Sequence, residues 1–380
     1  MRPAGIVVAL GVAQTLAWAS SYYLPAILAE PIGRELGLSA GWVFGAFSVA
    51  LLVSAAAGPY AGARIDRLGG RGVLMASSVL FAAGLALLGL ADGPGLLFTA
   101  WLVLGLAMAA GLYDAAFSAL ATIYGLGARG PITGVTLLGG FASTVGWPIS
   151  AALEAEFGWR LACFAWAGAH LVIALPLYAL LPPPRAATPV TPAADEPPPA
   201  GMFSRPMLLL GFVFAATWFT STAMGAHLPG LLIAAGASPG AALFAAGLVG
   251  PAQVAARLLE FGLLRRTHPL LSGRLAALAH LAGAGFFLLL GAPAAYLFTV
   301  LHGAGNGVMT IAKGTLPLAL FGTVGYGARQ GWLGGPARIG QAAAPLAFAL
   351  LVERLGLYAL GVTMALGLLS FLALLAVRRS

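Results

Sequence analysis

Twelve apolar runs of twenty residues or more occupy most of this sequence, and most of its charges fall between them. The runs lie at about 5–29, 41–62, 72–92, 95–120, 132–154, 160–181, 207–231, 239–259, 271–291, 294–318, 331–352 and 357–377. A helix of about 20 apolar residues crosses the roughly 30 Å hydrocarbon core of a bilayer, and within it every backbone polar group must be satisfied inside the segment. The expected fold class is therefore an all-α membrane protein with twelve transmembrane helices. Composition excludes a soluble domain: 60% of the residues are apolar and 8% charged, against about 45–50% and about 25% in soluble proteins. Met1-Arg2 and Ala17-Trp18-Ala19 could border a signal peptide, but the apolar run continues to Ala29. That exceeds a usual signal core, so a retained first helix is expected.

Between the sixth and seventh runs, residues 182–206 carry nine prolines together with Asp195-Glu196. Such a segment reads as a flexible or semi-extended linker. It divides the chain into an N-terminal bundle, 1–181, the linker, and a C-terminal bundle, 207–380. With both termini cytoplasmic, fourteen arginines fall in inside loops and ends and only Arg34, Arg160 and Arg354 outside, which is the positive-inside bias. The outside loops instead carry Glu30, Glu35, Asp92, Glu154, Glu156 and Glu353. The halves also echo one another. Gly127-Ala128-Arg129 returns as Gly327-Ala328-Arg329, 200 residues later, and Pro148, Glu154 and Gly158 as Pro345, Glu353 and Gly356. The formal net charge of +8 does not indicate nucleic acid binding, because the basic residues sit in short loops and not on one polar face. The single cysteine, Cys163, cannot form an intrachain disulfide.

The most charge-dense loop is Gly62-Ala63-Arg64-Ile65-Asp66-Arg67-Leu68-Gly69-Gly70-Arg71. Its glycines permit a tight turn, Asp66 can meet the positive end of a helix, and the arginines hold the loop inside. Gly62, Asp66, Arg67, Gly69, Arg71 and Leu74 match the loop signature of the major facilitator superfamily, with Arg64 in place of a leucine and Gly70 in place of a basic residue. The chain resembles that superfamily, as does its Phe157-Gly158-Trp159-Arg160 junction. The resemblance implies two six-helix pseudo-repeats, alternating access, and a central cavity surrounded by spans one, two, four, five, seven, eight, ten and eleven. It also makes Gly62, Asp66, Arg67, Gly69 and Arg71 a conformational latch, with Asp66 in contact with a helix N-terminus or an arginine of the facing half.

Charges inside a membrane are expensive and mark function by default. Three qualify, all on cavity-type spans: Asp114 in span four, Lys313 in span ten and Arg338 in span eleven. Arg338 could bind an anion in a two-pronged geometry, or be a structural pair. Asp114 could carry or gate a coupled proton, or pair with Lys313. His302, Asn306 and Lys313 form a polar stripe along span ten, and a stripe of that kind suits a water-lined path. Tyr22, Tyr23, His227 and Gln253, with Trp218, are lesser candidates for substrate binding, ordinary packing being the alternative for the aromatics. His170 and His280 lie on spans six and nine, peripheral in the superfamily, and are not counted among them.

Drug–proton antiporters of this superfamily usually carry an arginine in span four, where Ala107 stands, and a Gly-Pro motif in span five, broken here as Gly146-Trp147-Pro148. No phosphate-binding loop, metalloprotease motif or Gly-x-Ser-x-Gly nucleophile occurs in the sequence. The chain is therefore expected not to be an enzyme and to need no cofactor or metal. The expected function is secondary active transport of a small organic anion such as a monocarboxylate, coupled to protons. Efflux of a drug-like or arsenite-like toxic compound is the alternative, and a membrane receptor or enzyme a more remote one. The expected setting is a bacterial-type inner membrane, as a multi-pass monomer among lipid, with both termini cytoplasmic.

Overall fold

A computed structural model describes residues 3–183, 201–264 and 266–377, so most of the 182–206 linker lies outside the described residues. Among the described residues there is no strand. Two compact units result: unit 1 is Met1–Pro199 with Phe321–Gly335, and unit 2 is Ala200–Leu320 with Pro336–Ser380.

Unit 1 runs through α1 (Pro3–Ala19), α2 (Pro25–Glu35), α3 (Ala40–Leu68), α4 (Gly70–Gly89), α5 (Pro94–Gly111), α6 (Tyr113–Tyr124), α7 (Arg129–Gly139), α8 (Ala142–Ala169) and α9 (Leu175–Ala179). Unit 2 holds α10 (Arg205–Ala234), α11 (Pro239–Gly247), α12 (Val249–Leu259), α13 (Pro269–Leu290) and α14 (Ala295–Phe321). The long α15 (Tyr326–Leu355) begins in unit 1 and continues into unit 2, which ends with α16 (Leu360–Ala376). Prolines open α2, α5, α11 and α13, where their missing N–H costs no helical bond.

Among the described residues, seven helical stretches are long and apolar enough to cross a membrane. Two of them, Pro94–Ala179 and Tyr326–Ala376, are 86 and 51 residues long and take in more than one sequence run. The runs fall on helix throughout: α1–α2, α5–α6, α7 with the first part of α8, and α11–α12 are broken pairs, and the sixth run is the part of α8 after Gly158 continuing into α9. The helix α14, which carries His302, Asn306 and Lys313, is not among the seven.

Two glycines make the short connections possible. Gly69, at φ 74°, joins α3 to α4 directly, and Gly158, at φ 79°, turns the chain inside α8 between the fifth and sixth runs. Residues with a Cβ rarely adopt this left-handed region. Within unit 1, α5 packs against both α3 and α4, and α1 against α7 and α8. Within unit 2, α16 packs against α10 and α13 around a core that includes Phe287, Phe298 and Phe348.

Candidate functional site

Several candidate residues lie where helices break. A break strips backbone groups of their i to i−4 partners, and such groups persist at membrane depth only when protein or a water-lined cavity satisfies them. The α5–α6 break falls at Leu112, whose backbone is extended (φ −84°, ψ −171°). The carbonyl of Gly111, at the end of α5, is taken by Gln14 of α1, whose Nε2 donates at 2.6 Å. Asp114 follows immediately, in the first turn of α6, where the helix dipole favours a negative charge. Its side chain is buried, and a Cβ added at Gly334 would stand 2.9 Å from its Oδ2, so Asp114 lies directly against the start of α15.

Tyr22 and Tyr23 occupy the α1–α2 break and join an aromatic cluster in unit 1. Trp18 lies 5.2 Å from Tyr22 and 5.0 Å from Tyr113, ring centre to ring centre, and Tyr23 meets Trp147 at 5.9 Å. Offset and edge-to-face arrangements of this sort add about 0.5–1.5 kcal/mol per pair beyond area burial.

The charge-dense stretch expected to be a loop is instead helical, the end of α3 and the start of α4 meeting at Gly69, whose positive φ makes the whole turn, and it is held at one point. Asp66, on the last turn of α3, accepts the N–H of Gly327 at 2.7 Å and of Ala328 at 2.9 Å. These are among the first N–H groups of α15, which have no partner within their own helix. The approach is possible because Gly58 and Gly62 of α3 face Gly331 and Gly327 of α15, glycine on glycine at four-residue spacing. A Cβ at Gly62 would overlap the carbonyl of Gly327. Gly70 packs equally closely on Ala119 of α6. Arg64 and Arg67 are exposed and Arg71 is half-buried. Arg329 closes the turn before α15 by donating to the carbonyls of Phe321 and Val324 at 3.2 and 2.5 Å.

In unit 2, Lys313 and Arg338 are both buried, each 5% exposed, on α14 and α15. The Lys313 ammonium lies 5.1 Å from the ring centre of Trp218, on α10, within cation–π range. Gln253 accepts from Arg257 at 3.3 Å, and His227 bonds to the carbonyl of Pro345 at 2.9 Å. His302 and Asn306 line a common cavity with residues of α10, α13 and α16. His280 of α13, not counted as a candidate from sequence, lines it too and bonds to His302. His170, the other histidine set aside, is buried in unit 1 against Ser20 at 2.8 Å.

Sequence reasoning also missed Gln14, Arg257, Glu260 and Arg329. It placed the two arginines in loops or at span ends, whereas all four residues are buried. Gln14 had a readable signal, being one of the few polar residues in the first apolar run. Among the described residues no group of three or more histidine, cysteine, aspartate or glutamate side chains is placed to hold a metal ion.

A model of the Major Facilitator Superfamily matches residues 10–312. The chain is 37% identical over 167 residues to a protein of Thermoproteus tenax described as an uncharacterized 38 kDa protein in the 23S RNA operon; the match spans 44% of this chain and 43% of that one. Three solved structures share the fold over nearly the whole length. The human organic anion transporter MFSD10 (TETRAN) is 16% identical, with a TM-score of 0.73 over 98% of this chain and 100% of that one. The proton:xylose symporter XylE is 13% identical, with a TM-score of 0.71 over 97% and 94%. The transporter FucP, in the outward conformation, is 15% identical, with a TM-score of 0.76 over 98% of both chains.

Proposed function

Because the chain belongs to the major facilitator superfamily, we propose that it is a proton-coupled secondary transporter of a small organic anion, such as a monocarboxylate, working by alternating access. The fold and family make it a multi-pass membrane transporter and not an enzyme. Substrate class and coupling ion are the finer reading. Its neighbours in fold are described as an organic anion transporter and as proton symporters of sugars, so likeness alone does not choose between these substrates.

One observation carries the anion reading: the burial of two cations, Lys313 and Arg338, in unit 2. A charge at membrane depth costs at least about 2.5–3.5 kcal/mol on insertion scales. An anion that enters beside these cations meets positive charge in a low-dielectric setting, and if it binds one conformation more tightly than the other it shifts their equilibrium. Arg338 offers two parallel N–H donors to a carboxylate and Lys313 a point charge. Asn306, Gln253, His227, Tyr22 and Tyr23 are assigned to the substrate path, and Asp114 to carrying or gating the coupled proton. The bundles are taken as 1–181 and 207–380, in a monomer of a bacterial-type inner membrane with cytoplasmic termini.

The test is uptake of labelled monocarboxylates and other small organic anions into proteoliposomes under an imposed pH gradient. Wild-type protein is expected to accumulate at least one of them. Arg338→Lys is expected to raise KM by about tenfold or more, since it keeps the charge and loses the fork. Asp114→Asn is expected to keep exchange and lose accumulation. Unchanged affinity in Arg338→Ala, for a substrate the wild type transports, would make the arginine structural and remove the anion reading. Export of a cationic or neutral toxic compound in place of anion uptake would do the same.

A further inference from the structure

We propose that His280 and His302 form a single proton-binding site inside unit 2, where the coupled proton is held; this rests on the reading of the chain as a proton-coupled transporter. Helices α13 and α14 bring the two Nδ1 atoms within 2.9 Å. At that separation one proton lies between two nitrogens, one donating and the other accepting. Thr363 of α16 decides which ring owns it. The Thr363 hydroxyl donates to the carbonyl of Leu360 at 2.9 Å. Towards Nε2 of His280, 3.0 Å away, its oxygen therefore accepts. His280 thus carries its proton on Nε2 and, as a neutral ring, presents a lone pair at Nδ1. The bridging proton belongs to Nδ1 of His302, and Nε2 of His302 is left as the open basic nitrogen of the pair.

That nitrogen belongs to a ring lining a cavity of about 30 Å³, together with Thr217, Thr220 and Ser221 of α10, Asn306 of α14 and Ser370 of α16. Such a volume has room for about two water molecules, and the polar groups of its largely apolar lining are these hydroxyls, the Asn306 amide and the two imidazoles. A proton that reaches the cavity forms a new N–H bond at Nε2 of His302. The single positive charge is then shared with His280 through the bridge, and a second proton is opposed by the first. The pair accordingly takes up one proton, not two.

The surrounding charged and titratable groups are engaged at other contacts. Arg257 of α12 donates to the carbonyl of Gly307 and to Gln253, and Glu260 accepts from Ser272. Arg274 of α13 donates to the carbonyl of Leu374, Lys313 lies over Trp218, and His227 of α10 bonds to Pro345. Arg338 of α15 is buried but not among the cavity residues, and α16 has no charged residue. Among the described residues lining the cavity, the two imidazoles are the only titratable side chains.

The competing role is a static tie between helices, and one experiment separates the two. Full-length protein labelled with ¹⁵N-histidine, in lipid nanodiscs, is titrated from about pH 9 to about pH 4 by NMR. The expected result is one shared step in which both rings shift together and one proton is bound per chain. His302→Gln should abolish that step for His280. Thr363→Val should lower the share of the Nε2–H form of His280, with Thr363→Ser restoring it. If both wild-type rings stay neutral throughout, or titrate in two independent steps, the site does not exist. Transport of the anion found by the vesicle screen completes the test. If His302→Gln still drives accumulation from a pH gradient, the pair is not where the coupled proton is held. If the pair binds its proton while wild-type transport ignores the gradient, the site stands and it is the proton-coupled reading that fails.

Discussion

The carboxylate of Asp66 accepts the backbone N–H of Gly327 at 2.7 Å, joining two residues 261 positions apart in sequence. With the bond to Ala328 it places both carboxylate oxygens on the opening turn of α15. Hydrogen bonds to a charged group contribute about 1.5–3 kcal/mol each, and the positive end of the helix adds to them. The contact depends on backbone proximity through glycine, so it is specific to this crossing of α3 and α15.

Asp66→Asn retains one acceptor oxygen and turns an NH₂ group towards the other N–H. Expression should stay near wild type, because Asp66 is only half-buried and the crossing itself is unchanged. Loss of one charged bond, about 1.5 kcal/mol, should shift the conformational balance roughly tenfold and slow turnover. The turnover number in reconstituted vesicles is the measurement, and a wild-type value would show that the contact does not govern the cycle.

Gly62→Val should be costly for a different reason. The new side chain would run into the carbonyl of Gly327, which is backbone and cannot swing aside. Overpacking of this kind costs about 1–3 kcal/mol, so the melting temperature in detergent should fall by several degrees. Gly45→Ala on the same helix, where an added Cβ meets nothing within 4 Å, is the control and should melt like wild type. Equal melting of both variants would contradict the close crossing.

Glu35 provides a pH-dependent prediction. Arg160 Nε donates to its Oε1 at 2.8 Å and Trp159 Nε1 to its Oε2 at 2.6 Å. These bonds favour the charged carboxylate, the Arg160 bond most, and hold its pKa below the usual range. A depressed folded-state pKa gives stability that is present above the unfolded value, about 4.3, and is lost as pH falls through the folded one. Glu35→Gln should therefore melt lower than wild type at neutral pH, and the gap should close in acid below the carboxylate range. A gap independent of pH would mean that packing, not charge, is what the substitution removes.

The membrane-spanning pattern was legible because apolar run length is a local property with one dominant cause. The charged stretch at 62–71 stood out for a related reason, since charge in so apolar a chain has few places to go, but that it is helix on both sides of Gly69 did not show. What sequence could not supply were pairings between distant helices. His280 and His302 stand 22 positions apart on separate helices, and nothing in either segment states that their rings meet. The break at Leu112 was hidden inside the apolar run 95–120, because leucine has no turn signal of its own. Arg257 counted among the arginines of inside loops and ends, yet it is buried, since a long side chain at a helix end can turn back among its neighbours as readily as towards water.

The polarity of α14 bears on how the protein is made. A helix with a lysine, a histidine and an asparagine on its faces gains less from lipid than its more apolar neighbours. The ribosome delivers α13 first, and α13 brings His280, the hydrogen-bonding partner of His302. Insertion of α14 is then the closing of a hairpin against a helix already in place, and the order of the genes' codons becomes an order of assembly. An insertion assay comparing α14 alone with the α13–α14 hairpin reads that dependence directly.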